Sequence, residues 1–216
     1  MTRPLVPARR AAVLLPLLFA LGGCSVFGSG QRDPVTIYTP QLAAQADPSW
    51  PTADWQLAIA RPTAARMVDS SRIGVRPVPG EVQVYRGAVW AQPPTDLIEA
   101  GVLRVLEDSG KIAGVGRLAT GMRSDYRLAM DLRRFDADYG GGALPAATIE
   151  ISATLLNNRD QRIVARRTFR RAQPATATDV ASVAQAFDQA LASIAGEIAG
   201  WTLAQGQGDA QAHPQP

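Results

Sequence analysis

Few residues of this chain carry side chains suited to nucleophilic or metal chemistry. Cys24 is the only cysteine, and the only histidine, His213, lies close to the carboxyl end. A Ser-His or Cys-His nucleophile system needs both groups within hydrogen-bonding reach. Zinc needs a set of cysteine and histidine ligands. We therefore predict no catalytic residues, no metal site and no cofactor in the globular part of the chain.

Carboxylates are the remaining candidates for catalysis. Asp131, Asp136 and Asp138 cluster at the end of one predicted strand, just before Tyr139 and a run of three glycines. Such acids could act as general acid and base, or bind calcium. Their spacing matches no known calcium loop, and the favoured interpretation is a polar strand end that leads into a loop. A periplasmic hydrolase stays open as an alternative, but we do not expect an enzyme.

A later predicted strand is rich in arginine. Arg162, Arg166 and Arg170 alternate with apolar residues, and Arg167 and Arg171 lie beside them. Such a row could contact anionic lipid headgroups or an acidic partner. Acidic residues are predicted on the same sheet face, so cross-strand ion pairs on a solvated surface are the favoured interpretation.

The amino-terminal region has the order of a secretory signal. Three arginines precede an apolar run, and small residues then lead into the cysteine as Leu21-Gly22-Gly23-Cys24. The apolar run, Ala11 to Leu21, is shorter than the about 20 residues that span a bilayer. The Leu-Gly-Gly-Cys string resembles a lipobox. That resemblance implies cleavage before Cys24, a diacylglycerol on its sulfur and an acylated amino terminus, with fatty acids such as palmitate.

Removal of residues 1–23 would change the charge of the chain. The precursor contains 22 Lys and Arg against 19 Asp and Glu, and the signal holds three of the arginines and no acid. The mature chain is therefore neutral, and its composition does not predict binding to nucleic acid. We divide the mature chain into a Gly- and Ser-containing flexible tether over 24–33, one globular domain over 34–203, and a disordered tail over 204–216 rich in Gln, Gly, Ala and Pro.

Hydrophobic periodicity predicts an α+β fold. Alternation indicates three consecutive antiparallel strands near residues 125–135, 149–155 and 163–170. Shorter segments at 82–85 and 88–91 are predicted to pair as a hairpin around Arg86-Gly87. One helix should begin near Pro94 and end at Ser109, and a second should run from about 180 to 201. We expect a mostly antiparallel sheet with both amphipathic helices packed on one face.

Several short motifs in this order resemble the ABC-type transport auxiliary lipoprotein family. The resemblance extends over most of residues 34–203, and the order and spacing of the motifs carry it. They are Leu57 to Pro62, Arg72 to Arg76, Gly87 to Ala91 and Asp125 to Leu128. The family pattern Arg-Trp-Ala followed by an acid appears here as Val89-Trp90-Ala91-Gln92, so the arginine and the acid at its ends are missing, whereas Trp90 remains.

The resemblance implies a non-catalytic component of a lipid transport system that joins two membranes. Its partners would be an MCE-domain protein and an ABC transporter complex, which the lipoprotein would dock at the outer membrane. Ser25 after the cysteine, in place of an aspartate, implies attachment to the periplasmic face of the outer membrane. Tyr85 and Trp90, within the segment Glu81 to Trp90, are the expected partner-binding residues, because aromatic side chains are enriched at interfaces.

Other functions remain open from the sequence. An outer-membrane lipoprotein that assists assembly of lipopolysaccharide or cell-wall machinery would share this anchor and domain plan. The domain could also bind phospholipid itself, which would require an apolar cavity. A homo-oligomer is compatible with either function.

Overall fold

The computed structural model describes residues 34–41 and 46–213. Cys24, the predicted signal, the tether and residues 214–216 lie outside the described residues. Residues from Val35 onward form one unit. All described strands and helices belong to this unit, which contains its own hydrophobic core. A soluble form beginning at Ser25 should therefore fold without a lipid anchor.

Nine strands, two α-helices and a short 3-10 helix at Leu118–Thr120 are found in the described residues. The strands are β1 (Thr36–Tyr38), β2 (Ala53–Ile59), β3 (Thr63–Ala64), β4 (Arg72–Arg76), β5 (Gln83–Trp90), β6 (Ile112–Arg117), β7 (Tyr126–Asp138), β8 (Ala146–Asn157) and β9 (Ile163–Pro174). The helices are α1 (Pro94–Ser109) and α2 (Val180–Ala212). The predicted α+β class is confirmed.

Strand β7 organises the sheet. Along one edge it pairs in succession with β2, β3 and β4, all in parallel. Along the other edge it pairs antiparallel with β8, which pairs antiparallel with β9. These two ladders are the longest and match the three antiparallel strands predicted. The sheet is mixed elsewhere, because β6 runs parallel to β2 and β1 runs parallel to β5.

The predicted hairpin around Arg86-Gly87 is wrong. Residues Gln83–Trp90 form one strand, β5, which pairs with β4 on one side and β1 on the other. Gly87 does have a positive φ of 67°. It lies where the β4–β5 register shifts, between the pairs Arg72–Val89 and Gly74–Val84. The glycine therefore permits a bulge within a continuous strand, because a residue without Cβ adopts positive φ at low cost.

Both helices cover the same face of the sheet. Alternating residues of β7 and β8, such as Leu128 and Ile151, are fully buried in a core shared with the helices. The buried stripe of α1 includes Ile98, Val102, Val105 and Leu106. The predicted ends of α1 are confirmed, with Pro94 at its start and Gly110 beyond Ser109 in the left-handed conformation. Neither described helix lies on the opposite face, which we call the open face.

The predicted disordered tail over 204–216 is wrong for residues 204–212, which belong to helix α2. Asp179 caps its start by accepting the Ser182 amide at 3.0 Å, but the helix continues to Ala212. Gly206 is buried against Trp55, whose Nε1 donates to Gln207 Oε1 at 3.2 Å. Tertiary contacts therefore hold residues 204–212 in a helix although their composition is polar and rich in glycine.

Candidate functional sites

The predicted partner-binding aromatics lie in different environments. Trp90 is 2% exposed and packs edge-on against Phe135 and Phe187, with ring centroids 5.8 and 5.1 Å away. It belongs to the core, so the prediction that its side chain meets a partner is wrong. Tyr85 is half-buried on the same strand, and desolvation by burial raises the pKa of its phenol to about 12. Its role in partner binding stays a prediction.

The strand-end aspartates are held by arginines. Arg134 Nη2 donates to Asp136 Oδ1 at 2.6 Å and to Asp138 Oδ2 at 2.8 Å. Arg76 Nη2 donates to Asp136 Oδ2 at 3.2 Å. Burial alone would raise the pKa of Asp138, but hydrogen bonds from Arg134 and the Gly140 amide outweigh it and lower that pKa. The paired carboxylates of Asp136 and Asp138 are suited to holding the strand ends together, and the lowered pKa of Asp138 does not suit a general acid.

Asp131 does not join this ion-pair cluster. It pairs instead with Arg133 at 3.5 Å, and both side chains are about half exposed. The three predicted carboxylates are thus divided between a surface ion pair and the Arg76–Arg134 cluster. Over residues 34–41 and 46–213, no group of three His, Cys, Asp or Glu side chains is arranged to hold a metal.

The arginines of β9 serve several structural contacts. Arg171 pairs with Glu197 of α2, and Arg167 stacks over Phe169 with its guanidinium 4.8 Å from the ring centroid. Arg166 donates to Thr154 Oγ1 across the strands at 3.2 Å, while Arg170 lies opposite Glu150 and is exposed. Arg166, Arg167 and Arg170 are exposed, as the favoured interpretation of a solvated face expects, but the one ion pair that the strand's arginines form with the described residues joins Arg171 to α2 and does not cross the sheet.

Asp209 forms a buried polar centre that the sequence did not reveal. Arg162 Nη2 donates to its Oδ1 at 2.7 Å, and Tyr126 and Asn157 donate to its Oδ2 at 3.1 and 3.3 Å. Burial would raise the pKa of Asp209, but these hydrogen bonds, that of Arg162 above all, lower it. His213 follows one turn later, with its Nδ1 3.3 Å from Asp209 Oδ1. The centre ties the end of α2 to β7 and to the β8–β9 connection.

A groove on the open face is the main feature that sequence analysis missed. Its deeper part, of about 640 Å³, lies over β4 between β5 and the segment 66–70. A shallower part of about 480 Å³ continues towards β1 and shares Arg72 and Val84 with the deeper part. We call the two parts the open-face groove. The available signal was the pair of apolar residues Val82 and Val84 at the start of β5, which the structure shows to be solvent-exposed.

The helices give no sign of a membrane span. Among the residues that the structure describes, neither helix is long and apolar enough to cross a bilayer.

The fold and these sites define an α+β domain whose strand-end aspartates Asp136 and Asp138 are held in ion pairs and whose open face carries a groove. Residues 36–199 match the family described as ABC-type transport auxiliary lipoprotein component, and the chain belongs to that family. The match covers the sheet and α1 completely and ends within α2, thirteen residues before Ala212.

Relatives with this domain include solved structures. The chain is similar to a crystal structure from Xanthomonas campestris assigned to the DUF330 family, with 56% identity, a TM-score of 0.80, and coverage of 82% of this chain and 99% of that one. A second solved structure, an uncharacterized protein, shares the fold at 15% identity and a TM-score of 0.57, covering 76% and 97% of the two chains.

An uncharacterized protein of Bradyrhizobium diazoefficiens is 28% identical over 173 residues. The matched region is 80% of this chain but only 45% of that protein. This chain therefore spans less than half the length of that relative.

Proposed function

We propose that this protein is a lipid-anchored, non-catalytic component of an ABC/MCE-type intermembrane lipid transport system, and that it docks the periplasmic assembly at the outer membrane. The observation that carries this proposal is the family match over residues 36–199, which covers the whole sheet, α1 and much of α2. The proposed partners are an MCE-domain protein and the ABC transporter complex.

The chemistry of the domain supports a docking role. Asp136 and Asp138, the best candidates for acid and base, are bound by Arg134, and Asp136 is bound by Arg76 as well. A hydrolase built on these residues would have to break an ion-pair cluster before it could act. The half-buried Tyr85 and the neighbouring open-face groove offer binding surfaces instead.

The predicted lipid anchor at Cys24 supports the proposed location at the outer membrane. The Leu-Gly-Gly-Cys string and Ser25 favour acylation of Cys24 and retention at the outer membrane. A single acyl chain gives only reversible membrane binding, whereas two or more give stable attachment. A short tether of about ten residues has a typical reach of about 15–20 Å, so the domain would work close to its membrane.

Co-purification from cross-linked envelopes tests the proposal. With an affinity tag after Pro216, we expect mass spectrometry to recover an MCE-domain protein and an ABC permease with the wild-type lipoprotein. Recovery of lipopolysaccharide or cell-wall assembly proteins in their place would contradict it and favour the alternative function. The same preparation, run on a sizing column, would test whether the lipoprotein self-associates.

A further inference from the structure

The open-face groove combines apolar walls with a cationic rim. We propose that it binds one anionic amphiphile, with a single acyl chain in the deeper part and a carboxylate or phosphate headgroup at Arg66 and Arg72. This inference deepens the proposed function and rests on it, because it names the class of molecule that the domain would hold within a lipid transport system.

The walls leave apolar surface open to solvent. Val82, just before β5, and Val84 within it are 38% and 41% exposed, and Met67 on the opposite side is 69% exposed. These side chains and Val68 line the deeper part of the groove. Apolar side chains that share one concave surface gain stability when a hydrocarbon chain displaces water from them.

The floor of the groove is kept open by Gly74. A Cβ at this position would meet Asp136 Cβ at 3.6 Å and the Phe135 carbonyl oxygen at 3.7 Å, which are ordinary van der Waals contacts. Gly74 also lacks the positive φ that would demand glycine. Packing therefore does not require glycine in this strand, whereas a larger side chain would occupy the groove.

The rim carries arginines that pair with no acidic residue among those described. Arg66, Arg72 and Arg86 form no ion pair with any residue in the described part of the chain. Asp136 is the one acidic residue that lines the groove, and Arg76 and Arg134 already bind it. An anionic headgroup would find free guanidinium groups here, and arginine binds carboxylate and phosphate through paired hydrogen bonds.

The size of the groove also favours an amphiphile. Its deeper part, of about 640 Å³, falls within the range of roughly 300–1,000 Å³ that is typical of small-molecule sites. A free phosphate would use the arginines but none of the apolar wall. A neutral hydrocarbon would use the wall but leave the arginines without a partner.

Native mass spectrometry of the soluble form, residues 25–216, tests the proposal with oleate and lysophosphatidylglycerol as probes. We expect a one-to-one complex with at least one of the two, and no complex with inorganic phosphate or oleyl alcohol at the same concentration. Arg66→Gln combined with Arg72→Gln should weaken binding at least tenfold. Gly74→Leu should abolish binding by filling the groove.

A charge-matched control distinguishes binding in the groove from a general attraction of anionic probes to arginine side chains. Arg104 and Arg123 are exposed, lie outside the groove and form no ion pair with a described residue, so Arg104→Gln with Arg123→Gln should leave binding unchanged. Thermal melts confirm that each variant is folded. Absence of a one-to-one complex, or equal weakening by both double variants, would overturn the proposal.

Failure of this inference can be told apart from failure of the proposed docking function. If the soluble form binds no amphiphile while the anchored protein still recovers the MCE partner, the lipid site is wrong and docking stands. If Gly74→Leu loses the MCE partner and the wild type binds no amphiphile, the groove is a protein-binding surface. If amphiphile binding is intact but no MCE protein is recovered, the docking function is wrong.

Discussion

Replacement of Trp90 by alanine is expected to lower the free energy of unfolding by about 3–5 kcal/mol, the usual cost of removing a buried aromatic side chain. The indole is 2% exposed and contacts both Phe135 and Phe187, which stack on each other at 4.7 Å. Its loss would open a cavity between the sheet and α2. Urea denaturation of the soluble form measures the change.

Two companion variants make the Trp90 test specific. Trp90→Phe should cost less, because it keeps a ring in the cluster and removes an Nε1–H that has no hydrogen-bond partner among the described residues. Ile37→Ala, on the neighbouring strand β1, removes a side chain that is 64% exposed and should change stability by no more than about 0.5 kcal/mol. If Trp90→Ala left the free energy of unfolding unchanged but abolished binding of the MCE-domain partner, Trp90 would be an interface residue and the core assignment would be wrong.

Replacement of Gly206 by alanine should destabilise the protein by about 1–3 kcal/mol, the usual cost of forcing extra atoms into a packed core. The new Cβ would lie 2.7 Å from Trp55 Cη2 and closer still to Cζ2. Trp55 cannot turn away freely, because it is 4% exposed, packs against Tyr126 at 4.8 Å and donates to Gln207.

Gly208 offers a matched control in the same helix. A Cβ at Gly208 meets no atom within 4 Å, so Gly208→Ala should raise stability by about 0.5–1 kcal/mol through helix propensity alone. Thermal melts of the two single variants should therefore move in opposite directions. A shift of both in the same direction would show that residues 204–212 do not pack on the domain in solution.

The features predicted correctly from the sequence are those set by local patterns. Strand β7 alternates strictly from Tyr126 to Leu132, which fixes its buried side because side chains alternate across a sheet. Helix α1 carries its own start and stop signals in Pro94 and Gly110. These strand and helix signals each lie within a few residues, so they can be recognised without knowledge of the fold.

The features missed depend on distant contacts. Gly87 is read as a turn when β5 is considered alone, whereas pairing with both β1 and β4 keeps the strand continuous through a bulge. The end of α2 is polar in composition, yet Trp55 and Arg162, each more than forty residues away, hold it in place.

The open-face groove also depends on contacts between segments that are distant in the sequence. Most of its residues come from the segment 66–70, from β4 and from the start of β5, and Phe135 and Asp136 come from β7. They meet because β4 lies between β5 and β7, an arrangement that no local pattern encodes. Val82 and Val84 were visible in the sequence as apolar residues, but their exposure on a concave surface was not.

The requirement for the Cys24 anchor tests the central claim most directly. In a strain lacking the gene, we would compare the wild type, Cys24→Ala and a soluble form with an exchanged cleavable signal, using detergent sensitivity of the envelope as the readout. Cys24→Ala should leave an uncleaved or mislocalised precursor and restore no function, and the folded soluble form should also fail, because docking needs attachment to the outer membrane. Full restoration by the soluble form would contradict the account.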